Sequence, residues 1–353
     1  PPPPPPPFFF QADDVLRDSV ASRVLGDVYK RQIVDPVSTT AGQLGLPVLS
    51  SANVWVAPNV ASYVGGDIVA LMLSTNLGRR DGNVVAIDVG TNGEIVLQKG
   101  KELFATAAPA GPAFEGAEIT QGMRAAPGAI ERVRIRNGSV EIDVIDNAEP
   151  LGICGSGLVD AVSELLRVGL IAPSGRLLTA DEAKEIDPRL SGRIIPDETG
   201  GTFVLHESRD QPEQAIHLHA QDIRQLQLAK GSIRCGVNVL MQHAGLNVED
   251  LDEIILAGAF GSYIDPSGAI AIGLVPDVGP GAIKAVGNAA GHGSRMCLLS
   301  LTSRVRAIDL PAQVGYVELS AVEDFQDEFA IACLLYTSPS PRDATLSRMP
   351  SSA

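Results

Sequence analysis

Residues 84–97 read Val-Val-Ala-Ile-Asp-Val-Gly-Thr-Asn-Gly-Glu-Ile-Val-Leu. Two apolar runs around a turn that contains Gly and Asn predict a β-hairpin, and the nearly unbroken runs predict buried strands. Asp88 follows the first strand, and small residues follow Asp88. Such a carboxylate can hold Mg²⁺ directly or through water, while turn amides approach phosphate oxygens. The alternative is an ordinary hairpin turn, in which Asp, Asn and Gly are common.

Both ends of the 353-residue chain differ from its middle in composition. The chain begins with seven prolines and three phenylalanines, and it closes with a tail rich in Ser, Arg, Met and Pro. Both ends resemble translated sequencing-adapter sequence, so we expect residues 1–32 and 333–353 to be non-native. We further predict that residues 1–32 and 334–353 pack against nothing. The alternative is a Pro-rich arm and a disordered tail.

The remaining residues, 33–332, are enough for one large domain or two ordinary domains with full cores. The net charge of −15 argues against a nucleic-acid-binding protein. No segment has the apolar length of a membrane span, and we expect a cytoplasmic protein without a membrane partner.

Cysteine and histidine spacing predicts no metal site in this chain. Cys154, Cys235 and Cys297 are far apart and form no Cys-x-x-Cys pair, so neither a disulfide framework nor an iron–sulfur motif is encoded locally. His217 and His219 alternate as neighbours on one strand face do, and no third ligand accompanies them. We interpret both as surface or packing residues.

Two later blocks repeat the pattern of a buried strand that ends in glycines. Gly152 begins a glycine-rich turn before a helix predicted from about Ser156 to Val168, and a helix N-terminus of this kind is a natural anion site. Residues 254–261 form a buried strand that ends in small residues around Gly258. Together with the hairpin at Asp88, these blocks predict an α/β sheet whose strand ends meet at a ligand cleft.

Other nucleotide and hydrolase motifs are missing from the sequence. It contains neither the Gly-x-x-x-x-Gly-Lys-Ser/Thr of a P-loop nor the Gly-x-Ser-x-Gly of a serine hydrolase. Two helices are predicted near the motifs: one from Asp67 to about Leu77, and a longer one that begins at Asp222 and ends at Gly245.

The hydrophobic Asp-x-Gly-Thr-Asn-Gly hairpin, followed later by Leu-Ala-Gly-Ala-Phe-Gly, resembles the actin-like ATPase superfamily of sugar kinases, actin and heat-shock ATPases. More specifically, the chain resembles the C-terminal part of the reductive activators of corrinoid proteins. The matching stretches are residues 63–70, 86–96, 110–122, 152–162, 221–233, 256–261 and 287–293. The resemblance implies an α/β, actin-like (ribonuclease H-like) ATPase lobe with a mixed sheet and flanking helices.

The same resemblance implies domain boundaries and a function. Residues 33–83 would be the end of a first ATPase lobe with a connecting helix, and residues 84–332 a second, nucleotide-binding lobe. Complete family proteins carry a [2Fe-2S] ferredoxin domain, a linker domain and an earlier phosphate motif that this chain lacks. They use ATP to return a corrinoid protein from cob(II)amide to cob(I)amide. We therefore expect a fragment with a corrinoid protein as partner, and a homodimer is left open.

Roles for individual residues come from the resemblance alone. Asp88 would be the catalytic carboxylate that holds Mg²⁺ through water. The phosphates would lie near Gly90, Thr91, Asn92 and Gly93, with Gly155 and Gly157 as a second phosphate edge or a packed helix start. Ribose and adenine would lie near Gly258, Ala259 and Gly261. The long helix would contribute Gln227 and Lys230, although a solvated position is the alternative for Lys230.

Three further expectations concern alternatives. Cys154 resembles a cluster-ligating cysteine of related activators, but a buried thiol is the interpretation we prefer. A sugar- or acetate-type kinase stays open, with Glu115 and Asp160 as the candidate catalytic carboxylates. So does an ATP-dependent scaffold. We expect this chain to bind no iron and to hydrolyse ATP poorly, because the cluster cysteines and the first phosphate motif are not in it.

Overall fold

The structure is a computed structural model, and it describes residues 34–61, 63–207, 214–261 and 263–335. The strands are β1 (Val37–Thr40), β2 (Asn53–Val56), β3 (Asn83–Val89), β4 (Asn92–Lys99), β5 (Glu102–Pro109), β6 (Ala129–Arg136), β7 (Ser139–Val144), β8 (Gly152–Ile153), β9 (Ile194–Ile195), β10 (Thr202–His206), β11 (Ile216–His219), β12 (Glu253–Ala257), β13 (Ile283–Gly287) and β14 (Val314–Tyr316). The helices are α1 (Gly66–Thr75), α2 (Gly155–Arg167), α3 (Ala180–Ile186), α4 (Pro188–Ser191), α5 (Ala220–Ala244), α6 (Gly258–Gly261), α7 (Pro266–Ala271), α8 (Ala289–Leu299), α9 (Leu301–Asp309) and α10 (Phe325–Ala332).

A six-stranded mixed sheet forms the centre of the molecule. Its strand order is β13-β12-β3-β4-β5-β14. The predicted hairpin is confirmed as β3 and β4, which pair antiparallel, and β5 continues the meander. β12 pairs with β3 in parallel, and β13 and β14 extend the two edges in parallel. Because β3 is buried on both faces, its sequence is a continuous apolar run rather than an alternating one.

Successive residues of β3 belong to two different cores. Val85 and Ile87 belong to a core that includes the apolar stripe of α5, whereas Val84 and Ala86 belong to a core with α1 and α8. The alternation follows from the two-residue period of a strand. The sheet is thus covered by α5 on one side and by α1, α8 and α9 on the other.

The block around Gly152 lies in a separate sheet, so one part of the predicted architecture is wrong. β8 pairs with β6 in a three-stranded sheet of order β7-β6-β8. Its register joins Gly152 to Ala129, and only two residues form the strand. The glycine-rich end of β8 therefore reaches the neighbourhood of the other two blocks through α2 rather than through a shared sheet edge.

Two helix starts differ from the predicted ones. α1 begins at Gly66, and Asp67 lies in its first turn instead of capping it. α5 begins at Ala220, two residues before Asp222, whose fully buried carboxylate accepts hydrogen bonds from the backbone N–H of His219 and of Thr120. The Asp222 side chain therefore ties the helix start to a preceding loop. The end of α5 at Gly245, with φ +66°, is confirmed.

The prediction that residues 334–353 pack against nothing is wrong for the first residues of this tail. The Leu335 side chain is only 2% exposed and belongs to the core that contains α5, and its N–H donates to Pro173 O at 2.8 Å. The Leu334 carbonyl accepts a hydrogen bond from Lys230. Burying a leucine stabilises a fold by about 1.5–3 kcal/mol, which explains the packing whatever the origin of the segment. Residues 1–32 and 336–353 lie outside the described residues.

Apolar side chains remain exposed on one side of the molecule. Leu301, Val305 and Ile308 follow a helical i, i+4, i+7 spacing on α9, and Leu298 and Leu299 precede them at the end of α8. Leu301 is 77% exposed. In the part of the chain that the structure describes, no helix combines the length and the apolar character that crossing a bilayer requires.

Candidate functional site

The ends of β3 and β12 bring two of the glycine segments into contact. The parallel register places Ala257 beside Asp88, so Gly258 follows directly at the strand end. Gly258 has φ +89°, and a Cβ at this position would lie 2.6 Å from Asp88 Oδ1. Both the backbone angle and the close approach require glycine here. The segment expected near adenosine and the carboxylate expected near Mg²⁺ are therefore neighbours.

The third glycine segment joins them at the start of α2. A Cβ at Gly155 would lie 2.1 Å from Phe114 O and 2.2 Å from Cε2 of Phe260. The Phe114 and Phe260 rings are themselves packed together, with centroids 4.8 Å apart. Gly155 therefore allows the backbone of α2 to approach the 3₁₀ turn Pro112–Glu115 and α6 closely.

The turn between β3 and β4 is fixed by its own backbone and by the loop after β5. Gly90 N–H donates to Asn92 O at 3.1 Å, and Gly111 N–H donates to Thr91 O at 2.8 Å. The Thr91 hydroxyl donates to Glu115 Oε1 at 3.0 Å. Thr91 and Asn92 are exposed at the tip of the hairpin. The turn is therefore held in place while its tip stays open to a ligand.

Three carboxylates belong to one electrostatic group on the α1 side of the sheet. Glu94 lies directly opposite Asp88 in the antiparallel pair β3–β4, so the two side chains share one face. Burial, together with the nearby charge of Asp67, raises the pKa of Asp88 to about 6. Burial, Asp67 and Asp88 raise the pKa of Glu94 to about 8. Burial is the larger cause of both shifts, and the neighbouring carboxylates add to it.

This donor set fits a magnesium ion that arrives with a nucleotide. Among the ion pairs of the described residues, none involves Asp67, Asp88 or Glu94, so a cation would relieve their repulsion. No group of three or more His, Cys, Asp or Glu side chains within the described ranges forms a ready-made metal site. Mg²⁺ is commonly held by one or two carboxylates together with substrate phosphates and water, which is what this geometry offers.

Asp67 and Glu94 were not among the residues that the sequence suggested for the site. The sequence could have indicated Glu94, because a hairpin centred on Thr91 places residue 94 directly opposite Asp88. No comparable signal existed for Asp67, since its position depends on the packing of α1 against the sheet.

Two predicted glycines make close packing contacts. A Cβ at Gly93 would lie 2.6 Å from Cγ1 of Ile233 on α5, and a Cβ at Gly157 would lie 2.1 Å from Ile130 O on β6. Gly93 thus allows α5 to approach the sheet, and Gly157 lets α2 pack on β6. Of the two alternatives for Gly157, these contacts support the packed helix start.

The polar ends of Gln227 and Lys230 are directed to backbone carbonyls. Gln227 Nε2 donates to Ser174 O at 3.1 Å and to Cys333 O at 2.9 Å. Lys230 Nζ donates to Ala332 O at 2.6 Å and to Leu334 O. Burial lowers the pKa of Lys230 to about 7, and the side chain is buried rather than solvated. Contact with a nucleotide would require these bonds to break, so that role stays a prediction.

The remaining candidates have simpler positions. Gly261 is buried, and a Cβ there would lie 3.2 Å from the carbonyl carbon of Leu256, whereas the Ala259 side chain lies outside the described residues. Cys154 is buried, and its thiol is 3.3 Å from Ile130 O and 3.4 Å from Ser156 Oγ. His219 lies 2.9 Å from the Thr202 hydroxyl, a structural contact next to α5.

Two cavities lie elsewhere on the described surface. One of about 550 Å³ is lined by Arg134, Arg136, Glu164 and Arg167, and one of about 320 Å³ by residues that include Arg80, Glu253 and Lys284. Glu253 pairs with both Arg80 and Lys284, and Glu164 pairs with Arg167, so most of these charges are satisfied internally. The chemistry of the glycine segments therefore identifies the candidate site better than cavity size does.

Family comparisons agree with this fold. The model of the C-terminal ASKHA domain of RACo matches residues 82–343, and the model of the RACo middle region matches residues 18–80. The solved structure of a reductive activator for a corrinoid, iron-sulfur protein is similar, with a TM-score of 0.79 and 36% sequence identity, covering 88% of this chain and 49% of that one.

Two curated relatives are also named as activators or reductases of corrinoid proteins. The corrinoid activation enzyme RamQ of Eubacterium limosum is 34% identical over 84% of this chain and 49% of its own length. A reductase of the Co(II) methylated amine-specific corrinoid protein from Methanosarcina barkeri is 28% identical over 66% of this chain and 42% of its own length. The chain spans about half of the length of RamQ and less than half of the length of the Methanosarcina reductase. The chain therefore belongs to the family that carries the C-terminal ASKHA domain of RACo, an actin-like α/β fold with a mixed sheet and flanking helices.

Proposed function

We propose that this chain is the ATP-binding part of a reductive activator that returns a corrinoid protein from cob(II)amide to cob(I)amide. The observation that carries the proposal is the contact between Asp88 and Gly258, which joins a carboxylate to a glycine-rich strand end. Family membership adds the corrinoid protein as partner, since the named relatives act on such proteins. A cytoplasmic location and a homodimer remain predictions of the sequence.

The geometry suggests how each segment contributes to nucleotide binding. Backbone N–H groups of the turn at residues 90–92 would bind phosphate oxygens, that of Gly90 only after its hydrogen bond to Asn92 O breaks. Asp88 and Glu94 would hold Mg²⁺, which neutralises phosphate charge when it is bound. Ribose and adenine would lie near the strand end at Gly258, where a side chain would collide with Asp88 and with the backbone of Val89.

The nucleotide would act on the partner through a two-state closure of the ATPase domain. A ligand shifts such an equilibrium only by its differential affinity for the two states. The carboxylates of Asp67, Asp88 and Glu94 would contribute to that difference, because Mg²⁺ that arrives with the nucleotide would relieve the repulsion among them.

The described cysteines do not fit an iron–sulfur cluster. Cys154, Cys235 and Cys297 are buried and Cys333 is half-buried, and the described residues contain no cluster of three or more metal-ligating side chains. The proposal therefore places the [2Fe-2S] group outside this chain. An iron assay after anaerobic reconstitution is expected to find no stoichiometric iron, and a brown, iron-containing chain would contradict this.

Calorimetric titration with ADP and with ATP, each with and without Mg²⁺, tests the proposal. We expect both nucleotides to bind, and Gly258→Ala to weaken ADP binding by at least about tenfold, since a Cβ there collides with Asp88. The matched control is Gly192→Ala, because a Cβ at Gly192 has no neighbour within 4 Å. A wild-type chain that binds neither nucleotide would contradict the proposal.

The corrinoid part needs a protein that carries the remaining domains. With a strong reductant and ATP, we expect the electron paramagnetic resonance signal of the partner's cob(II)amide to disappear. A small-molecule kinase would instead transfer labelled phosphate from ATP to an added sugar or to acetate and leave that signal unchanged.

A further inference from the structure

Glu115 contains an unusual buried oxygen. Within the described residues, its Oε2 is the buried side-chain nitrogen or oxygen that has no hydrogen-bond partner. Leaving a buried acceptor unsatisfied costs about 1–3 kcal/mol, and native proteins satisfy nearly all such groups. An exception of this kind indicates a donor that arrives with a ligand or with ordered water.

The other oxygen of the same carboxylate is held firmly. Oε1 accepts the Thr91 hydroxyl at 3.0 Å, and the loop that carries Glu115 is bonded to the hairpin through Gly111 N–H and Thr91 O. Two hydrogen bonds therefore fix Glu115 relative to the turn expected to bind phosphate. The orientation of Oε2 follows from that of Oε1, because the carboxylate is planar.

The position of Glu115 in the molecule is equally specific. Its neighbour Phe114 packs on Phe260 of α6 and approaches Gly155 of α2. The 3₁₀ turn Pro112–Glu115 thus lies where the three glycine segments meet. No ion pair of the described residues includes Glu115, so its carboxylate is available as an acceptor.

We propose that Oε2 of Glu115 accepts a hydrogen bond from the water molecule that attacks the terminal phosphate of ATP, and that it takes the proton of that water. This inference rests on the proposed function and adds a catalytic residue to it. The family comparison assigns no such role, and the sequence indicated Glu115 only for the kinase alternative.

The proposed step is balanced in atoms and electrons. The water oxygen forms a bond to the γ-phosphorus, and the bond from that phosphorus to the bridging oxygen breaks. The electron pair of the broken bond stays on ADP. One water proton passes to Glu115 Oε2 and later leaves to solvent, so ATP and water yield ADP, inorganic phosphate and a proton.

Glu115→Gln separates this role from a structural one. The amide oxygen of glutamine can still accept the Thr91 hydroxyl, but its NH₂ group cannot accept a hydrogen bond at the Oε2 position. The volume of the side chain is conserved. The matched control is Glu118→Gln, which removes the same charge from an exposed residue nearby.

The experiment measures single-turnover ATP hydrolysis in ¹⁸O-labelled water with the full 353-residue chain in excess. Wild-type turnover is expected to be slow but measurable, with ¹⁸O in the inorganic phosphate. Glu115→Gln should lower the rate by roughly 10²–10⁴, the range of a general base, while Glu118→Gln leaves it unchanged. Calorimetry should show unchanged affinity for Mg-ADP and equal or tighter affinity for Mg-ATP, since a negative charge near the terminal phosphate is removed.

Several outcomes would overturn the inference. Hydrolysis by Glu115→Gln within twofold of wild type would do so, as would phosphate without ¹⁸O. A lower Tm combined with equal losses of ADP and ATP affinity would assign Glu115 a structural role instead. If the proposed function itself is wrong, the calorimetric titration of the wild-type chain will already show no nucleotide binding. That result would overturn both the proposed function and this inference.

Discussion

Asp88 lies at the end of a buried strand, where a carboxylate is costly unless a metal or a partner compensates it. In the complete parent protein, we expect Asp88→Asn to lower ATP hydrolysis by roughly 10²–10³, or about 3–4 kcal/mol, because a positioned charge is lost. ADP binding without Mg²⁺ should change little, and corrinoid reduction should fall together with hydrolysis. Steady-state phosphate release at saturating Mg²⁺ measures the effect.

An exposed carboxylate provides the control for this prediction. Asp81→Asn removes the same charge from a side chain that is fully open to solvent, and hydrolysis should not change. Wild-type hydrolysis by Asp88→Asn would mean that Asp88 is an ordinary turn residue, as the alternative interpretation of the hairpin holds.

Asp160 gives a pH-dependent prediction away from the nucleotide site. Burial raises its pKa to about 6, from the value near 4 usual for aspartate. Because the pKa of Asp160 is higher in the folded state, its protonated carboxyl contributes to the free energy of unfolding. This contribution is fully present below the unfolded-state pKa and is lost as pH rises through about 6. Asp160→Asn carries no charge, so its Tm relative to wild type should increase between pH 5 and pH 8. Differential scanning calorimetry at both pH values measures this, and an unchanged difference would contradict it.

Single residues also show where sequence reasoning ends. Asp88 and the turn at residues 90–92 followed from the apolar pattern and from turn chemistry, and Glu94 follows from the same pattern once the hairpin register is known. The position of Asp67 did not follow from local pattern, and the sequence indicated Glu115 only for the kinase alternative, because their surroundings depend on tertiary packing and on one hydrogen bond to Thr91. Gln227 and Lys230 have the helical positions expected, yet backbone carbonyls bind their polar ends.

At the scale of secondary-structure elements, the close approach of α2 to its neighbours depends on one glycine. Gly155→Ala should destabilise the chain by about 1–3 kcal/mol, the usual range for overpacking, since its Cβ would collide with Phe114 O and with the Phe260 ring. Gly192→Ala is the control, as its Cβ would meet nothing within 4 Å. Urea unfolding of both variants measures the difference. Equal stability would mean that the three segments are less tightly packed than the structure shows.

The positions of helices and strands were predicted better than the pairing between distant strands. The hairpin formed by β3 and β4 and the end of α5 at Gly245 were predicted correctly, because turn and cap residues act locally. The sheet assignment of β8 was wrong, since the pairing of Gly152 with Ala129 is a long-range choice that strand composition does not encode. Register between distant strands depends on the whole core.

At the scale of the whole molecule, the apolar stripe on α8 and α9 should make the isolated chain self-associate. Exposed apolar patches of this kind drive association or aggregation in water. We expect the double variant Leu301→Gln/Val305→Gln to lower the apparent mass in concentration-dependent sedimentation. Leu151→Gln is the control, because Leu151 is comparably exposed at 68% but lies outside that stripe. A wild-type chain that stays monomeric at every accessible concentration would contradict the prediction.

The parallel pairing of Asp88 with Ala257 also sets an order of events during synthesis. β3, β4 and β5 are consecutive and can pair as soon as they leave the ribosome, but β12 follows β3 by 169 residues. At translation rates of about 5–20 residues per second, this edge of β3 waits roughly 10–30 s for its neighbour. An unpaired strand edge can template wrong pairing. The nascent chain therefore spends that interval with this edge of β3, next to the candidate nucleotide site, open to wrong pairing, and a ribosome that stalls before residue 253 leaves it so.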